Sequence, residues 1–537
     1  MRFRLLGVTA LVFSCAATLA AAPNITGVVN AANWLPPDLP NSGIAQGSIF
    51  TITGTGLGPS PLQQAFSYPL PNTEGLGGTT ITITAGDVAV FGIMVYTSAT
   101  QVAAILPSST PVGTAILKLS YQGASDTIAI QVVAANFGTL TLNEGGAGPA
   151  VVTDPSYTPI TMINPAHPGD TLILWGTGLG AITGSETEPP QQVDLHTGVQ
   201  VLIGNQPATV TYGGRGSSPG LDQINFVVPA GVTGCKTSIA VLLKGVTGNV
   251  TTTSIAPAGQ TTCGDTFNAL TAANLQKAIS SGSLSIAGVE LSRTVGEKDT
   301  LFAAFGSFPV SRLIRSYGGT TSPSIGSCLS YETYGATLVV TDPIQATPLQ
   351  TGPQLKITGP SGSKTVDEFS VGIYAGTLAT TAPFFIAPGN FTATNGSGGS
   401  NVAGFNWNLT LPSSVVPTNM PTGVNRAQDL TLTWSGGSDY SIVSIFGYSA
   451  VPKTLTSTQF SWVEFLCTAD ASAGTFTIPS AILNLLPTNG FGGLFEPGAS
   501  IQIAGVAESQ FSGANAPGLD EGFFTAFISS GAVVNVE

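Results

Sequence analysis

Two histidines, five cysteines and a few acidic clusters are the chain's main resources for polar chemistry. His167 lies in a proline-flanked loop and His196 precedes a strand-like run. Neither stands in an HExxH zinc pattern, and no GxSxG elbow supplies the serine of a Ser-His-Asp hydrolase. Both read as ordinary surface histidines. Glycoside hydrolysis needs two carboxylates that face each other across the scissile bond. Asp367-Glu368 and Asp520-Glu521 are sequence neighbours that would point to opposite faces of a strand, so only a partner distant in sequence could complete such a pair. Glu186, Glu188 and Asp194 share one loop and are the candidates for a calcium ion held through oxygens, set against the commoner reading of a solvated acidic loop. No cofactor is expected. Trp407, Trp434 and Trp462 could stack on sugars, but they alternate with apolar or Thr residues in strand-like runs, which favours packing inside the protein.

The cysteines point to an oxidising compartment. The opening MRFRLLGVTALVFSCAATLAAAP has Arg2 and Arg4 ahead of an apolar run and then small residues, the pattern of a secretory signal peptide over residues 1–22. Export to the extracellular space or periplasm follows. A lipid anchor through Cys15 is the alternative, although Val12-Phe13-Ser14-Cys15 is a poor lipobox. Setting Cys15 aside leaves Cys235, Cys263, Cys328 and Cys467, an even count that suggests two disulfides. The spacings do not suit zinc. CKTSIAVLLKG leads out from Cys235 and VTTTSIAP returns towards Cys263, with a turn expected near Val246-Thr247-Gly248, so Cys235–Cys263 is favoured and Cys328–Cys467 follows by elimination. Pairing of Cys263 with Cys328, leaving Cys235 for Cys467, is the competing arrangement.

Composition narrows the partners. The net charge is −13, only 8% of residues are charged, and Lys and Arg nowhere cluster. A protein that grips phosphate backbones needs a basic patch, so nucleic acid is not expected as a partner. No apolar run beyond the leader reaches the length of a spanning helix, so no membrane span is expected. With 67 Gly, 37 Pro and 42% apolar residues, the chain reads as all-β with many turns.

Glycine-rich writing recurs. FTITGTGLG begins at Phe50 and LILWGTGLG at Leu172. Gly47 matches Gly169, Gly54 matches Gly176, Gln101 matches Gln223 and Pro107 matches Pro229, all 122 apart (176 − 54; 229 − 107). A common offset across four landmarks is an internal duplication. A dinucleotide fingerprint would need a helix to open directly after the glycines. Pro59 and Pro61 follow the first copy instead, and no helical period appears. The glycines Gly54, Gly56 and Gly58, with Gly176, Gly178 and Gly180, therefore read as structural turns that use positive φ, with Leu57 and Leu179 as plugs at the sandwich end. Gly204-Asn205 suggests a hairpin turn, and short alternating strands suggest antiparallel sandwiches.

At these residues the chain resembles the IPT/TIG immunoglobulin-like domains, whose mark is a strand running into G-T-G-[LF]-G. VVNAANW…IAQGSIFTITGTGLG and NPAHPGDTLILWGTGLG, followed by IGNQPATVTYGG and LDQINFVVPAGVTG, look like the paired repeats of uncharacterised secreted acidobacterial proteins. The resemblance covers roughly residues 24–260 and implies two tandem non-catalytic sandwiches, residues 23–137 and 138–262. The first copy departs from it, with AGDVAVFGIMVY in place of the G-x-x-A-x-V-x-Y wording.

Beyond Cys263 the repeat stops. A short helix is expected from Thr271 as N-cap, then strands including ATLVVTD from Ala336, a loop at Asn395-Gly396, a proline-rich boundary at PSSVVPTNMPTG, and a short helix after Pro479. This gives a C-terminal β-sandwich half of about two modules, 263–415 and 416–537. The functional expectation is a secreted or cell-surface, non-enzymatic protein for adhesion, scaffolding or ligand binding, with an extracellular protein or a glycan as partner. A carbohydrate-binding protein or cryptic glycosidase is the alternative.

Overall fold

The computed structural model describes residues 22–37, 39–265, 267, 270–293, 298–316, 322–334, 345–452, 460–488 and 498–537. Cys15, the expected leader up to residue 21 and the expected strand at Ala336 lie outside them. The chain is all-β, with short helices at the joints.

Residues 24–133 form a sandwich of two five-stranded sheets. Its strands are β1 (Asn24–Asn30), β2 (Ile49–Thr55), β3 (Thr79–Ala85), β4 (Val88–Phe91), β5 (Ile93–Thr97), β6 (Gln101–Ile105), β7 (Gly113–Tyr121) and β8 (Ala124–Val133). One sheet runs β1-β2-β6-β5 and the other β8-β7-β3-β4, each completed by a two-residue edge strand, Gln63–Gln64 beside β5 and Ile44–Ala45 beside β8. Alternation in IFTIT and AILKLSY puts Phe50, Ile52, Leu117 and Leu119 into one core with Leu57.

The second copy repeats this order in β9 (Thr171–Thr177), β10 (Val199–Ile203), β11 (Gln206–Arg215), β12 (Asp222–Val227), β13 (Gly234–Leu243) and β14 (Val246–Ile255). β9 and β14 sit 122 residues after β2 and β8 (171 − 49; 246 − 124). The copies differ in how their layers join. The first breaks at Gly92 between β4 and β5, whereas β11 is continuous and joins both layers into one nine-stranded sheet, β9-β12-β11-β10-β13-β14 with three short flanking strands. Gly204 and Asn205 both have positive φ in the β10–β11 turn, as the sequence suggests. The β13–β14 turn falls at Lys244-Gly245, with Leu243 opposite Val246, two residues earlier than expected.

After the helix α1 (Ala272–Ser281), whose Thr271 cap accepts from the Asn274 amide, the C-terminal half opens with β15 (Ser283–Arg293), β16 (Asp299–Pro309) and the helix α2 (Val310–Ser316). It continues with β17 (Ser327–Tyr334), β18 (Gln354–Gly359), β19 (Gly362–Ser370), β20 (Ile373–Ala379), β21 (Gly389–Thr394), β22 (Asn406–Leu411), β23 (Ile442–Pro452), β24 (Phe460–Asp470), β25 (Ala499–Ser512) and β26 (Glu521–Ile528). These belong to one 14-stranded sheet, in the order β17-β24-β23-β25-β26-β15-β16-β20-β19-β18-β21-β22. β26 pairs parallel with β15, and β17 pairs with β24. Strands from both sides of residue 415 thus share one sheet, the later ones β24-β23-β25-β26 sitting between β17 and β15, and the expected boundary there does not separate two sheets. The expected helix after Pro479 is present over Ser480–Leu483.

The structure joins Cys235 to Cys263, with Cα atoms 5.2 Å apart, and Cys328 to Cys467, directly opposed on β17 and β24. The first disulfide sits in a small core with Leu270, Leu275 and Leu284, at the joint between the second sandwich and the large sheet.

Candidate functional site

The duplicated glycine turn is filled by the protein itself. In the first copy the amides of Gly54 and Leu57 donate to the Thr100 and Ala99 carbonyls. In the second, the amides of Gly178 and Leu179 donate to one oxygen of buried Asp222, at 2.7 and 2.8 Å. These donors, the ones a phosphate would use, already have partners. Positive φ occurs at Gly56, Gly178 and Gly180. At Gly54, Gly58 and Gly176, which lack positive φ, the reason for glycine is close approach, at Gly58 to the Thr97 hydroxyl, which corrects the expectation. At Gly54 and Gly176 a Cβ would lie 2.1 Å from the Asn24 carbonyl oxygen and 2.2 Å from that of Gly138, respectively.

Nor do Glu186, Glu188 and Asp194 form a calcium site. Glu186 is buried, accepts from the Ser108 amide (2.8 Å) and hydroxyl (2.6 Å) of the first sandwich, and lies 3.6 Å from the Arg215 guanidinium. Arg215 pairs with Asp222 and donates to the Gly180 carbonyl at 2.8 Å. Glu186 is thus a buried strut between the two copies. Asp194 holds the His196 ring at 2.5 Å, and Glu188 is exposed. Among the described residues no three His, Cys, Asp or Glu converge.

The remaining candidates also have structural partners. His167 contacts the Gln260 carbonyl at 2.8 Å. Asp367 accepts from Gln354, and Glu368 from the Gly372 amide. Asp520 pairs with Lys277 at 2.5 Å, and Glu521 accepts from Asn274. Trp407 and Trp434 are buried, Trp407 against Phe405 and Phe511. Trp462 is half-buried and stacks on Tyr448 with centroids 4.7 Å apart.

What sequence reading missed lies on the large sheet. One face of β15, β16, β23, β25 and β26 packs into the main core through Val289, Phe305, Ile445, Ile503 and Phe524. Residues of the other face line a groove of about 540 Å³. Its lining includes Phe302, Phe308, Phe446, Phe523 and Phe527, with Glu290, Glu508, Gln502 and Thr525 among them, and Phe267 leans in from the segment after Cys263. Phe302 is 52% exposed. The Phe523 ring lies over Gly288, where a Cβ would come within 2.6 Å of it, so a side chain at 288 would displace that wall of the groove.

Register fixes the polar groups. Glu290 is opposite Thr525 on β26, and Thr525 is opposite Glu508 on β25. The two acids therefore flank Thr525, one strand away on each side, about 10 Å apart at Cα for strands ~4.8 Å apart. Burial pushes the Glu290 carboxyl above its ordinary value, opposed by a hydrogen bond from Ser292. A sequence signal did exist. SIAGVEL, IVSIFGY and GFFTAFI are apolar at consecutive positions, which marks strands covered on both faces.

No family model and no curated protein matches the chain. Among solved structures it is similar to a Bacteroides ovatus surface glycan-binding protein, SGBP-B of the mixed-linkage glucan utilization locus, at 14% identity over 86% of this chain and 94% of that one, TM-score 0.15. It is also similar to Sidekick-1 immunoglobulin domains 1–4, at 10% identity over 96% and 99%, TM-score 0.13. A third similarity is to an ice-binding adhesin of an Antarctic bacterium, at 10% identity over 91% and 94%, TM-score 0.11. At these values the likeness says nothing beyond the β fold. No helix among the described residues is long and apolar enough to cross a membrane.

Proposed function

We propose that this is an exported, non-enzymatic binding protein whose ligand site is the groove on the C-terminal sheet, mounted on two IPT/TIG-like sandwiches that hold it rigidly. The observation that carries this reading is the contiguous Phe-lined face, left uncovered by the described residues. Large exposed apolar patches mark binding sites in folded proteins, and a cavity of about 540 Å³ falls in the size range of small-molecule sites. Export is supported by the leader-like N-terminus and the two disulfides.

The tryptophans do not supply a platform for sugar stacking. Trp407 and Trp434 are committed to the core, and Trp462 offers at most one ring face beyond its stack on Tyr448. The test uses Nile red, a neutral apolar fluorophore, with Ala304→Trp to fill the groove. Saturable binding by the wild type, lost in the variant with its melting temperature kept, supports the site. Equal binding by both removes it.

A further inference from the structure

We propose that the groove's ligand carries a protonated amine on an apolar body, the ammonium seating over Thr525 between Glu290 and Glu508. The inference rests on the groove being the ligand site and adds the ligand's charge.

Four groups surround Thr525. Along β26, Phe523 and Phe527 lie two residues to either side of it and so project to the same face. Across the sheet, Glu290 and Glu508 flank it on the neighbouring strands. Two aromatic rings and two carboxyls therefore surround one short side chain, whose hydroxyl donates back to the Val289 carbonyl. The acids are steadied from the protein side, Glu290 by Ser292 and Glu508 by Gln510 at 2.9 Å. Beside Glu290 on β16 stands Phe302, opposite it in register.

Charge then selects among ligands. Glu290 and Glu508 are the ionisable groups among the described residues lining the groove, and none of those residues is basic. A fatty carboxylate or a phosphate would meet two acids in a chain of net charge −13, and like charges brought together at low dielectric repel strongly. A wholly neutral ligand would desolvate both carboxyls without replacing the water they lose. An alkyl- or arylalkyl-ammonium does replace it. Its N–H groups donate to the carboxylates in charge-assisted hydrogen bonds, the cation faces the Phe rings, and the apolar body covers Phe302, Phe446 and Val506.

Three ten-carbon probes differing only in the head group provide the test. Decan-1-amine, decan-1-ol and decanoate each displace Nile red from the full chain at neutral pH. The ammonium is expected to bind about tenfold or more tighter than the alcohol, and the alcohol tighter than the carboxylate. Glu290→Gln with Glu508→Gln should bring amine and alcohol to parity while Nile red still binds. The wild-type ratio decides even where that variant folds poorly. Equal affinity of amine and alcohol in the wild type overturns the inference and leaves the groove standing as an apolar site. Failure of all three probes, with Nile red binding unaffected by Ala304→Trp, removes the groove reading and this inference with it.

Discussion

The two Ig-like copies place equivalent strands in opposite surroundings. On the outward face of β7 and β8 the first copy carries Thr114, Lys118, Ser125, Thr127 and Gln131, with Ile116 and Ala129 as exposed apolar exceptions. At the positions of Lys118 and Ser120 the second copy has Ala240 and Leu242 (240 − 118; 242 − 120), packed into the same core as the C-terminal sheet. The uncovered strands thus present mostly polar side chains, whereas the covered ones mix apolar residues such as Ala240 and Leu242 with buried polar ones such as Lys236 and Ser238. The groove face is richer in large apolar side chains than either, yet it is left uncovered by the described residues. That contrast is what the proposed ligand would account for.

The largest expected effect sharpens the contrast between the copies at the glycine turn. Asp222→Ala leaves Arg215 buried without its principal partner and two amides unpaired, and should cost about 3–5 kcal/mol in denaturant unfolding. Thr100, at the equivalent position, contributes only a backbone carbonyl, and Thr100→Ala should stay within about 0.5 kcal/mol. A comparable cost at both sites would mean that the copies are not stabilised differently. Ala240→Lys tests the covered face. It forces a long cation under the C-terminal half and should cost about 2–3 kcal/mol, while the mirror change Lys118→Ala is near neutral. Equal effects would show that cover by the C-terminal half does not set what these two equivalent positions tolerate.

The smallest expected effect concerns pH. Folding raises the Glu290 carboxyl through burial. A carboxyl raised in this way favours the folded state while protonated, and that contribution is lost as pH rises through its folded value. Glu290→Gln should therefore melt slightly higher than wild type at about pH 8 and lose that advantage towards about pH 4. A Glu290→Gln variant less stable than wild type at the higher pH would show the carboxylate to be stabilised rather than strained.

Much of this frame was legible in the chain. The 122-residue offset gave the paired sandwiches, because a strand-to-corner motif repeated with its spacing intact leaves little freedom in topology. Thr271 and Pro479 marked short helices through local capping chemistry. The groove was not legible for a physical reason. Glu290 is 235 residues from Thr525 (525 − 290), and they meet only because β26 returns to lie parallel to β15. Asp520-Glu521 are neighbours in the sequence, whereas Glu290 and Glu508 come to either side of Thr525 through strand pairings that no local pattern encodes. Glu186 misled in the opposite direction. Its acidic loop looked solvated, but the loop closes onto the first sandwich and buries that carboxyl against Ser108 and Arg215.

The most direct test of the groove as the working site is an anomalous bromine map from a crystal of the full chain saturated with 10-bromodecan-1-ol, a neutral probe that does not depend on the ligand's charge. The account predicts the strongest bromine peak among Phe302, Phe446 and Phe527. A strongest peak on either Ig-like copy, or none at saturation, would contradict it.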